Sequence, residues 1–432
     1  MKKAASFALG CKVNQYESEA IAELFAEKGY EIVGIDEEAD VYVINTCTVT
    51  NFGDKKSRQL IRKVKRQNEN AIVAVVGCYA QTAPQELVKV EGVNLVIGTK
   101  DRAQIVEMVE NYKTENGVEN HVSDIMKERV FEPLSIQKLA NRTRAYLKIQ
   151  DGCSQYCSYC IIPYARGPIR SRDPQDVIAE VKRLAENGFK EVVLTGIHVA
   201  SYGKDRKDTS LLEILRQVHA VEGIERIRFS SIEPNVVTEK FAKAIAEMPK
   251  VCDHFHLSLQ SGCDKTLKEM NRKYDTEKYR QAAAILRKYL PEVALTTDII
   301  AGFPGETEED FQASYDFAKE IGFAKIHAFP YSPKKGTPAA ARKDQLLNAV
   351  KAERSHRLIE LSDKMADDFI QAYVGKEVEV LYERAVGEGV YEGHTTNYIK
   401  VQATSEKDLT NVICRTKITK AENEELFGVA EA

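Results

Sequence analysis

The chain has 432 residues, of which 43% are hydrophobic, and this is enough to build two or three domains with buried cores. Its formal net charge of −4 is small, so any binding to nucleic acid must use local basic patches rather than the field of the whole molecule. No stretch approaches the ~18 consecutive apolar residues that a membrane helix needs. Composition therefore argues against a disordered or membrane-spanning protein, but it does not indicate a substrate.

The first residues, MKKAASFALGC, imitate a lipoprotein signal, yet their apolar run of about seven residues is at the lower limit for such a signal. Nine cysteines, an odd number at uneven spacings, suit a reducing compartment and metal binding better than a disulfide framework. We therefore expect a cytoplasmic protein with no membrane partner.

Residues 1–110 alternate short apolar runs with helical patterns, which is typical of βαβ units with a parallel sheet. Strands are predicted at residues 4–9, 41–45, 72–76 and 93–97, and helices at residues 17–28 and 55–67. The fold class predicted for this part is an open parallel α/β sheet domain.

Each of the first three predicted strands is followed by a cysteine: Cys11 in LGCKVN, Cys47 in NTCTV and Cys78 in VGCYA. Because loops after parallel strands emerge at one edge of a sheet, these cysteines should converge where open α/β sheets bind ligands. Three separate core cysteines are the alternative, since cysteine is frequently buried. The Gly, Asn and Thr neighbours favour a shared site of three thiolates.

Residues 101–139 lose periodicity and are predicted to be a polar linker. A second series of strands is then predicted at residues 145–149, 191–194, 226–230, 254–259, 293–300 and 325–328. Helical patterns lie between them, for example at residues 174–187 and 276–289. These βα units number about six, which is too few for a closed eightfold barrel.

The loop after the first of these strands reads IQDGCSQYCSYCI, so Cys153, Cys157 and Cys160 form a C-x3-C-x2-C run. Structural zinc normally takes four protein ligands, whereas an iron–sulfur cubane held by three cysteines keeps one iron free for an outside ligand. The spacing also suits buried cysteines on a helix face or part of a zinc site. We favour the cluster with an open iron.

A helix predicted at residues 345–373 leads to a final segment with strand alternation, which includes EVEVLYER and NYIKVQA. Several short strands of this kind indicate a small antiparallel β-barrel at residues 372–432.

The C-x3-C-x2-C run, with Tyr159 before its last cysteine, resembles the signature of radical S-adenosylmethionine enzymes, which implies that Tyr159 contacts the cofactor. The resemblance implies that residues 139–370 form a partial (βα)6 barrel with its active site at the carboxyl ends of the strands. It also implies that Cys153, Cys157 and Cys160 hold a 4Fe-4S cluster. The free iron of that cluster would chelate S-adenosylmethionine, whose reductive cleavage gives a 5′-deoxyadenosyl radical.

The first hundred residues resemble the amino-terminal domain of methylthiotransferases, which implies a second 4Fe-4S cluster on Cys11, Cys47 and Cys78. By its position, the last segment resembles the TRAM domain, an RNA-binding barrel of the same family. Acidic residues outnumber basic ones there, so RNA contact would depend on a local cationic patch.

Two loops of the barrel are expected to meet the cofactor at the ends of the second and third strands. LTGIHVASYG offers Thr195 and Gly196 but no carboxylate for the amino group of S-adenosylmethionine. His198, in the same loop, is either a satisfied loop histidine or a polar contact to the nucleobase. SSIEP offers Ser230 and Glu233 to the ribose hydroxyls, unless these side chains merely cap a turn.

The segment DIIAGFPGET resembles the family's Gly-x-x-Pro segment, which implies that it contacts the adenine. Its glycines allow the backbone to approach a ligand closely. The residues expected there are Ile300, Ala301 and Gly302.

Basic side chains near these loops are either solvated surface or contacts to tRNA phosphates. The densest run, residues 54–67, supplies Arg58, Arg62 and Lys65, with Arg142 and Arg144 as a continuation. PYARGPIRSR adds Arg166, Arg170 and Arg172, which could face RNA or the cofactor carboxylate. The final barrel would offer Lys400, Arg415 and Lys417.

The two sets of cysteines imply a methylthiotransferase, which converts an unactivated C–H bond to C–S–CH3 through a radical. LTGIHVASYG lacks the Gly-Gln-Asn of isopentenyl-type enzymes, and LGCKVNQYESE resembles the threonylcarbamoyl type. The expected reaction is 2-methylthiolation of N6-threonylcarbamoyladenosine beside the anticodon of tRNA, with a flavodoxin or ferredoxin as electron donor. Isopentenyl-adenosine of tRNA, an aspartate of a ribosomal protein, and a non-catalytic iron–sulfur RNA-binding module are the alternatives.

Overall fold

A computed structural model describes residues 1–49, 51–136 and 143–431, with residues 51 and 52 described by their backbone alone. The strands of the amino-terminal part are β1 Lys3–Ala8, β2 Glu31–Ile32, β3 Val41–Thr46, β4 Ile72–Gly77, β5 Leu95–Val96 and β6 Glu119–Asn120. Its helices are α1 Lys12–Glu27, α2 Asn51–Gln67, α3 Cys78–Thr82, α4 Pro84–Leu87 and α5 Ile105–Asn111. The strands form one sheet of order β2-β1-β3-β4-β5-β6, and every described pairing in it is parallel.

Helices cover both faces of this sheet, as a parallel sheet requires. One apolar cluster contains Ile61 and Val64 of α2, and the cluster on the other face contains Ile21 and Phe25 of α1. Successive residues of β3 belong to the two clusters in turn, so this strand is buried on both sides. The predicted open parallel α/β sheet is confirmed.

Two details of this part differ from the prediction. Helix α1 begins at Lys12, directly after Cys11, rather than near residue 17. The sheet also continues beyond residue 110, because β6 adds a parallel edge strand inside the predicted linker. A two-residue edge strand is too short to show any hydrophobic period.

The central strands are β7 Arg144–Asp151, β8 Arg170–Ser171, β9 Glu191–Gly196, β10 Arg226–Phe229, β11 His254–His256, β12 Ala294–Ala301 and β13 Lys325–Pro330. The helices are α6 Ile162–Arg166, α7 Pro174–Glu186, α8 Leu211–His219, α9 Glu239–Ala246, α10 Asp264–Glu269, α11 Thr276–Tyr289, α12 Glu308–Ile321 and α13 Asn348–Gln371. Sheets β10-β9-β7-β8 and β11-β12-β13 are joined by parallel bridges, one of which links Ile232 to Leu257. Six parallel strands thus form the predicted partial (βα)6 barrel, while β8 pairs antiparallel at its edge.

The final segment forms a closed barrel, as predicted. Its strands are β14 Glu377–Gly387, β15 Val390–Thr395, β16 Lys400–Thr404, β17 Ile413–Glu422 and β18 Glu425–Glu431, in the closed order β14-β15-β16-β18-β17. The antiparallel prediction is wrong for one pair, since β18 runs parallel to β16. Strand β17 pairs with β14 on one side and forms a hairpin with β18 on the other. Strand β18 then closes the barrel against β16 and runs in the same direction as β16.

Arginines of β10 attach this barrel to the amino-terminal ends of the central strands. Nη1 of Arg226 donates to the carbonyl of His394 at 2.8 Å, and Nη2 of Arg228 donates to that of Thr395 at 2.7 Å. The cysteine loop after β7 lies at the opposite ends of the strands. Among the helices that the structure describes, none is both long enough and apolar enough to cross a membrane.

Candidate active site

The loop after β7 holds one set of cysteines at the carboxyl end of the barrel. It begins at Gly152, which has φ of 72° and at which a Cβ would lie 1.8 Å from the carbonyl oxygen of Pro168, so only glycine fits there. Cys153, Cys157 and Cys160 then line a space of about 830 Å³, which we call the cysteine cavity. Burial raises the pKa of Cys153 to about 11 and that of Cys160 to about 12, so these thiols stay protonated near neutral pH unless a metal displaces the proton.

The other set lies after three neighbouring strands, as the sequence predicts. Cys11, Cys47 and Cys78 follow β1, β3 and β4. At Gly10, with φ of 104°, a Cβ would lie 2.7 Å from the sulfur of Cys47, so glycine lets these two loops approach each other. Burial raises the pKa of Cys78 to about 12, an effect that Arg166 opposes. Because Cys11 reaches into the cysteine cavity, members of both sets line one space.

Within the described residues, no three side chains of His, Cys, Asp or Glu are placed to hold a single metal ion together. A cubane cluster makes a different demand, because each of its cysteines binds a separate iron atom. In addition, each set has one cysteine whose sulfur accepts a hydrogen bond from an arginine. Arg272 donates from Nη1 to Sγ of Cys157 at 3.2 Å, and Arg166 donates from Nε to Sγ of Cys78 at 3.2 Å. Hydrogen bonds to sulfur and nearby positive charge stabilise cluster thiolates. The donor chemistry of both sets therefore fits iron–sulfur clusters.

Arg166 belongs to a buried ion network between the amino-terminal sheet and the barrel. Its Nη1 lies 2.5 Å from Oε1 of Glu17, and Nζ of Lys148 lies 2.6 Å from the same oxygen. Nη1 of Arg102 lies 2.6 Å from Oε2 of Glu17. Burial acts to raise the pKa of Glu17, but these three cations hold it well below its usual range. The carboxylate therefore stays ionised and joins both parts of the chain.

The arginines of PYARGPIRSR were expected to face RNA or the cofactor carboxylate, and this expectation is wrong. Arg166, Arg170 and Arg172 are buried. Nη2 of Arg170 lies 3.5 Å from Asp151, and Nη2 of Arg172 lies 2.5 Å from Glu180. All three guanidinium groups are thus buried against carboxylates rather than turned towards a phosphate, and Arg166 joins the barrel to the amino-terminal sheet through Glu17.

Five of the residues expected to bind the cofactor line the cysteine cavity: Tyr159, Thr195, Gly196, Ser230 and Glu233. The Ser230 hydroxyl is buried and has no hydrogen-bond partner among the described residues, so it is available to a ligand. The Thr195 hydroxyl instead donates to the carbonyl of Val193 at 3.2 Å.

The remaining three, Ile300, Ala301 and Gly302, do not line this cavity. Ile300 packs in an apolar cluster, and Ala301 is buried. The close approach that Gly302 permits is to Lys351, whose Cγ would lie 2.5 Å from a Cβ at that position. The adenine contact expected at this segment stays a prediction.

Glu233 is fixed by two side chains at the wall of the cavity. Nη2 of Arg272 donates to it at 2.8 Å, and Nε2 of His198 lies 3.0 Å from its other oxygen. Nδ1 of His198 lies 2.6 Å from the hydroxyl of Ser201. Burial acts to raise the pKa of Glu233, but His198 and Arg272 lower it overall. His198 also lines the cysteine cavity, and its buried Nε2 lacks a well-aligned hydrogen bond within the described residues, so both alternatives for this histidine stay predictions.

A second space of about 390 Å³ continues from the cysteine cavity into the barrel, and we call it the lumen cavity. Four residues line both spaces: Lys12, Ser230, His256 and His327. Burial lowers the pKa of Lys12, and the charges of Arg144 and Arg228 lower it further. The ring of Tyr398, from the final barrel, stacks on His254 at 5.1 Å and also lines the lumen cavity.

Several residues of this site were missed from the sequence. The alternation in HFHLS puts His254 and His256 on one face of a strand and could have identified them as lumen residues. Lys12 stands beside a recognised cysteine, but its direction into the barrel depends on the helix that begins there. Gln150 accepts a hydrogen bond from the backbone N–H of His198 at 2.7 Å, which no sequence pattern indicates.

The basic helix α2 offers fewer free cations than its sequence suggests. Arg62 is exposed. Arg58 donates to the hydroxyl of Tyr79 at 2.6 Å. Nζ of Lys65 donates to two backbone carbonyls near the end of the helix, at 2.6 and 2.9 Å, so its predicted role in phosphate binding is wrong. Of the three, Arg62 is therefore the residue for which the predicted phosphate contact is best retained, and it stays a prediction.

Other side chains that were expected to contact RNA also form ion pairs within the protein. Arg144 pairs with Glu191 and Glu383, so it does not extend a surface patch, and Arg142 lies outside the described residues. In the final barrel, Lys400 lies 2.6 Å from Glu392 and is not free to form the expected patch. The other two members of that patch, Arg415 and Lys417, are exposed on β17.

Residues 147–318 match the Radical SAM superfamily, and residues 3–98 match a family described as Uncharacterized protein family UPF0004. The chain is 47% identical to the threonylcarbamoyladenosine tRNA methylthiotransferase MtaB of Bacillus subtilis over 98% of this chain and 94% of that protein. It is 39% identical to the protein of that name in Aquifex aeolicus, over 95% of this chain and 99% of the relative. A tRNA-2-methylthio-N(6)-dimethylallyladenosine synthase of Clostridium botulinum is 37% identical, over 97% and 95% of the two chains.

The fold resembles that of a radical S-adenosylmethionine methyltransferase, TsrM, from Kitasatospora setae. The TM-score is 0.57 at 18% sequence identity, and the match covers 79% of this chain and 77% of that one. At this level of identity the likeness concerns the fold alone.

Proposed function

The chain belongs to the methylthiotransferases of the radical S-adenosylmethionine superfamily, and we propose that it catalyses 2-methylthiolation of N6-threonylcarbamoyladenosine beside the anticodon of tRNA. The observation that supports this proposal is that the cysteine cavity is lined by Cys11 of one cysteine set and by all three members of the other. A reaction that needs a radical and a sulfur donor at one carbon atom requires such a meeting of two sites.

S-adenosylmethionine and one 4Fe-4S cluster accompany membership of the superfamily. We assign that cluster to Cys153, Cys157 and Cys160, and a second 4Fe-4S cluster to Cys11, Cys47 and Cys78. When bound, the clusters supply one-electron reduction of S-adenosylmethionine and a site for sulfur. The protein contributes burial of the thiols and the arginine donors to Cys78 and Cys157.

The proposed reaction balances over two molecules of S-adenosylmethionine. One transfers its methyl group to a sulfide and leaves S-adenosylhomocysteine. The other would accept one electron and break its C5′–S bond to give methionine and the 5′-deoxyadenosyl radical, which would take the hydrogen atom from C2 of the adenine to become 5′-deoxyadenosine. The carbon radical would then join the methylthiolate, and the electron released would return to a bound cluster.

Side chains of the cysteine cavity suit the binding of S-adenosylmethionine. The free hydroxyl of Ser230 and the ionised Glu233 can accept or share hydrogen bonds with ribose hydroxyls. Because Arg272 holds both Glu233 and Cys157, it fixes the ribose contact relative to the proposed cluster. Tyr159, Thr195 and Gly196 complete this wall.

The partners follow from the chemistry of the proposed reaction. The substrate is the anticodon loop of tRNA, and the reduction requires a low-potential donor such as flavodoxin or ferredoxin. Such a reaction places the enzyme in the cytoplasm. We propose residues 1–110 as the second cluster domain, 139–370 as the radical core and 372–432 as the TRAM-like RNA-binding barrel.

Mass spectrometry of tRNA nucleosides from a deletion strain tests the function directly. The 2-methylthio form of threonylcarbamoyladenosine should be absent, and the unmethylthiolated nucleoside should accumulate. Complementation with the wild-type chain should restore the product, whereas Cys157→Ala should not. Unchanged 2-methylthio threonylcarbamoyladenosine in the deletion strain would contradict the proposal.

Dimethylallyladenosine in tRNA is the second candidate substrate, because relatives named for that substrate are 37% identical over nearly the whole chain. The same nucleoside analysis separates the two candidates. Loss of the 2-methylthio derivative of dimethylallyladenosine alone would favour the second.

A further inference from the structure

Polar side chains from two barrel strands line the lumen cavity, together with apolar side chains of α13 such as Phe369 and Ile370. His254 and His256 stand two residues apart on β11, and Lys325 and His327 do so on β13. Residues two apart on a strand share one face, so both pairs project into the same space. The cavity therefore offers hydrogen-bonding groups to a polar part of a ligand.

Most of the charged side chains that line the two cavities pair with an oppositely charged neighbour. Lys325 pairs with Asp363 and Glu424, and Lys400 pairs with Glu425. In the cysteine cavity, Glu233 pairs with Arg272 and Asp298 lies 3.4 Å from His256. Lys12 has no carboxylate partner among the residues that the structure describes.

Lys12 stands at the junction of the two cavities, because it lines both of them. Its ammonium group lies 5.9 Å from the centre of the Tyr146 ring, and Arg144 and Arg228 act on it electrostatically. These arginines share Glu191, and Arg144 also pairs with Glu383, so within the described residues both arginines have carboxylate partners whereas Lys12 has none. An anionic group that enters the lumen cavity would therefore find an uncompensated positive charge.

We propose that Lys12 and the lumen cavity form the subsite for the N6 substituent of the substrate base, with Lys12 binding its carboxylate. This inference rests on the proposed function, since the threonylcarbamoyl group carries a carboxylate and a hydroxyl. A dimethylallyl group carries neither, and it would leave Lys12 without an anionic partner. Lys12 is thus a specificity residue that selects the acidic substituent.

The test compares the binding affinities of two proteins for two RNAs, in all four combinations. Wild-type holoenzyme and Lys12→Gln are titrated with anticodon stem-loops that carry either threonylcarbamoyladenosine or the same nucleoside with its carboxylate converted to a carboxamide. The wild type should bind the carboxylate RNA at least about tenfold more tightly, the worth of one charge-assisted hydrogen bond. Lys12→Gln should bind both RNAs within about twofold of each other.

Two further variants serve as controls. Lys12→Arg keeps the charge and should keep the preference for the carboxylate RNA, and iron analysis of each variant shows whether its clusters are loaded. Lys89→Gln removes an exposed lysine in the turn after α4 and should leave the preference at its wild-type value.

Equal binding of the two RNAs by the wild type would overturn the subsite, and so would a preference that survives in Lys12→Gln. The wild-type comparison decides the matter even where Lys12→Gln does not fold. Failure of the proposed function has a different signature. In that case the reduced wild-type holoenzyme forms no 2-methylthio product on the carboxylate RNA, whatever its affinity.

Discussion

Nε of Arg166 donates a hydrogen bond to the sulfur of Cys78 at 3.2 Å, although the two residues belong to different parts of the fold. Arg166 lies at the end of α6, just after the cysteine loop of the barrel, and Cys78 follows β4 of the amino-terminal sheet. The same guanidinium group binds Glu17. One buried side chain therefore links the loop of one proposed cluster to a ligand of the other.

Replacing Arg166 should lower the reduction potential of the proposed amino-terminal cluster. Loss of a hydrogen bond to sulfur and of a nearby positive charge disfavours the reduced, more negative cluster. For Arg166→Gln the shift should be on the order of 50 mV, the equivalent of one hydrogen bond in a one-electron couple. The measurement is a redox titration followed by electron paramagnetic resonance, in a chain whose Cys153, Cys157 and Cys160 are changed to alanine.

Arg102→Lys is the matched control for this variant. Arg102 also binds Glu17 within the buried network, yet it makes no hydrogen bond to Cys78 among the described contacts. An equal shift in both variants would assign the effect to the network as a whole. No shift in Arg166→Gln would remove the sulfur contact as its cause.

Glu191 should make stability depend on pH through the contact between the barrel and the final domain. Burial acts to raise its pKa, but Arg228 and Arg144 lower it to about 2 from the usual 4.5. A lowered folded-state pKa stabilises the protein above the unfolded value, and this stabilisation is lost as pH falls towards 2. The linkage is worth about 3 kcal/mol at neutral pH.

Urea unfolding of wild type and Glu191→Gln between pH 7 and pH 3 measures this contribution. The gap in free energy of unfolding should be largest at neutral pH and should shrink below about pH 4.5. Glu186→Gln, which alters an exposed carboxylate of α7, should show little gap at any pH. A Glu191 gap that is constant with pH would refute the linkage.

The fold was largely predictable because its signals are local. Apolar runs of five or six residues separated by amphipathic helices identified the parallel strands in both α/β parts, and β3 is buried along its whole length as such a strand should be. The short strand β6 and the parallel pairing of β16 with β18 depend on hydrogen bonds between distant segments. No period in the sequence records them.

The parts of the candidate site that depend on a rare residue type were predictable from the sequence. The parts that depend on a common residue type with several roles were not. Cysteine at the ends of strands identified both sets, but arginine near a cysteine reads equally as an RNA contact or a buried ion pair. Arg166 is the second kind because Glu17, from far along the chain, lies against it. Only the tertiary structure brings these charges together.

Arg62 should contribute to tRNA binding, whereas Lys65 should not. Arg62→Gln is expected to weaken affinity and to reduce the slope of log affinity against log salt by about 0.7–0.9, the value for one lost phosphate contact. Lys65→Gln should leave that slope unchanged and instead destabilise the helix end, because Lys65 binds backbone carbonyls there. Filter binding at several salt concentrations measures the affinity and the slope of each variant. Equal slopes for wild type and Arg62→Gln would show that α2 is a solvated surface and not an RNA contact.

Cys47→Ala should separate radical formation from carbon–sulfur bond formation. Radical formation depends on the cysteines of the barrel loop, whereas Cys47 lies in the other set, beside Gly10 and Cys11. With reductant, S-adenosylmethionine and threonylcarbamoyl-modified tRNA, the variant should still release 5′-deoxyadenosine but form no 2-methylthio nucleoside. Chromatography and mass spectrometry of the same reaction measure the two products.

Cys414→Ala is the matched control, since Cys414 lies in the final barrel and belongs to neither set. It should form both products, and iron analysis should show the full content of two clusters, whereas Cys47→Ala should lose about half of its iron if a second 4Fe-4S cluster is present. A folded Cys47→Ala protein that methylthiolates tRNA at the wild-type rate would remove the amino-terminal set from the mechanism. The cysteine cavity would then serve radical chemistry alone, and the sulfur would have to come from outside the chain.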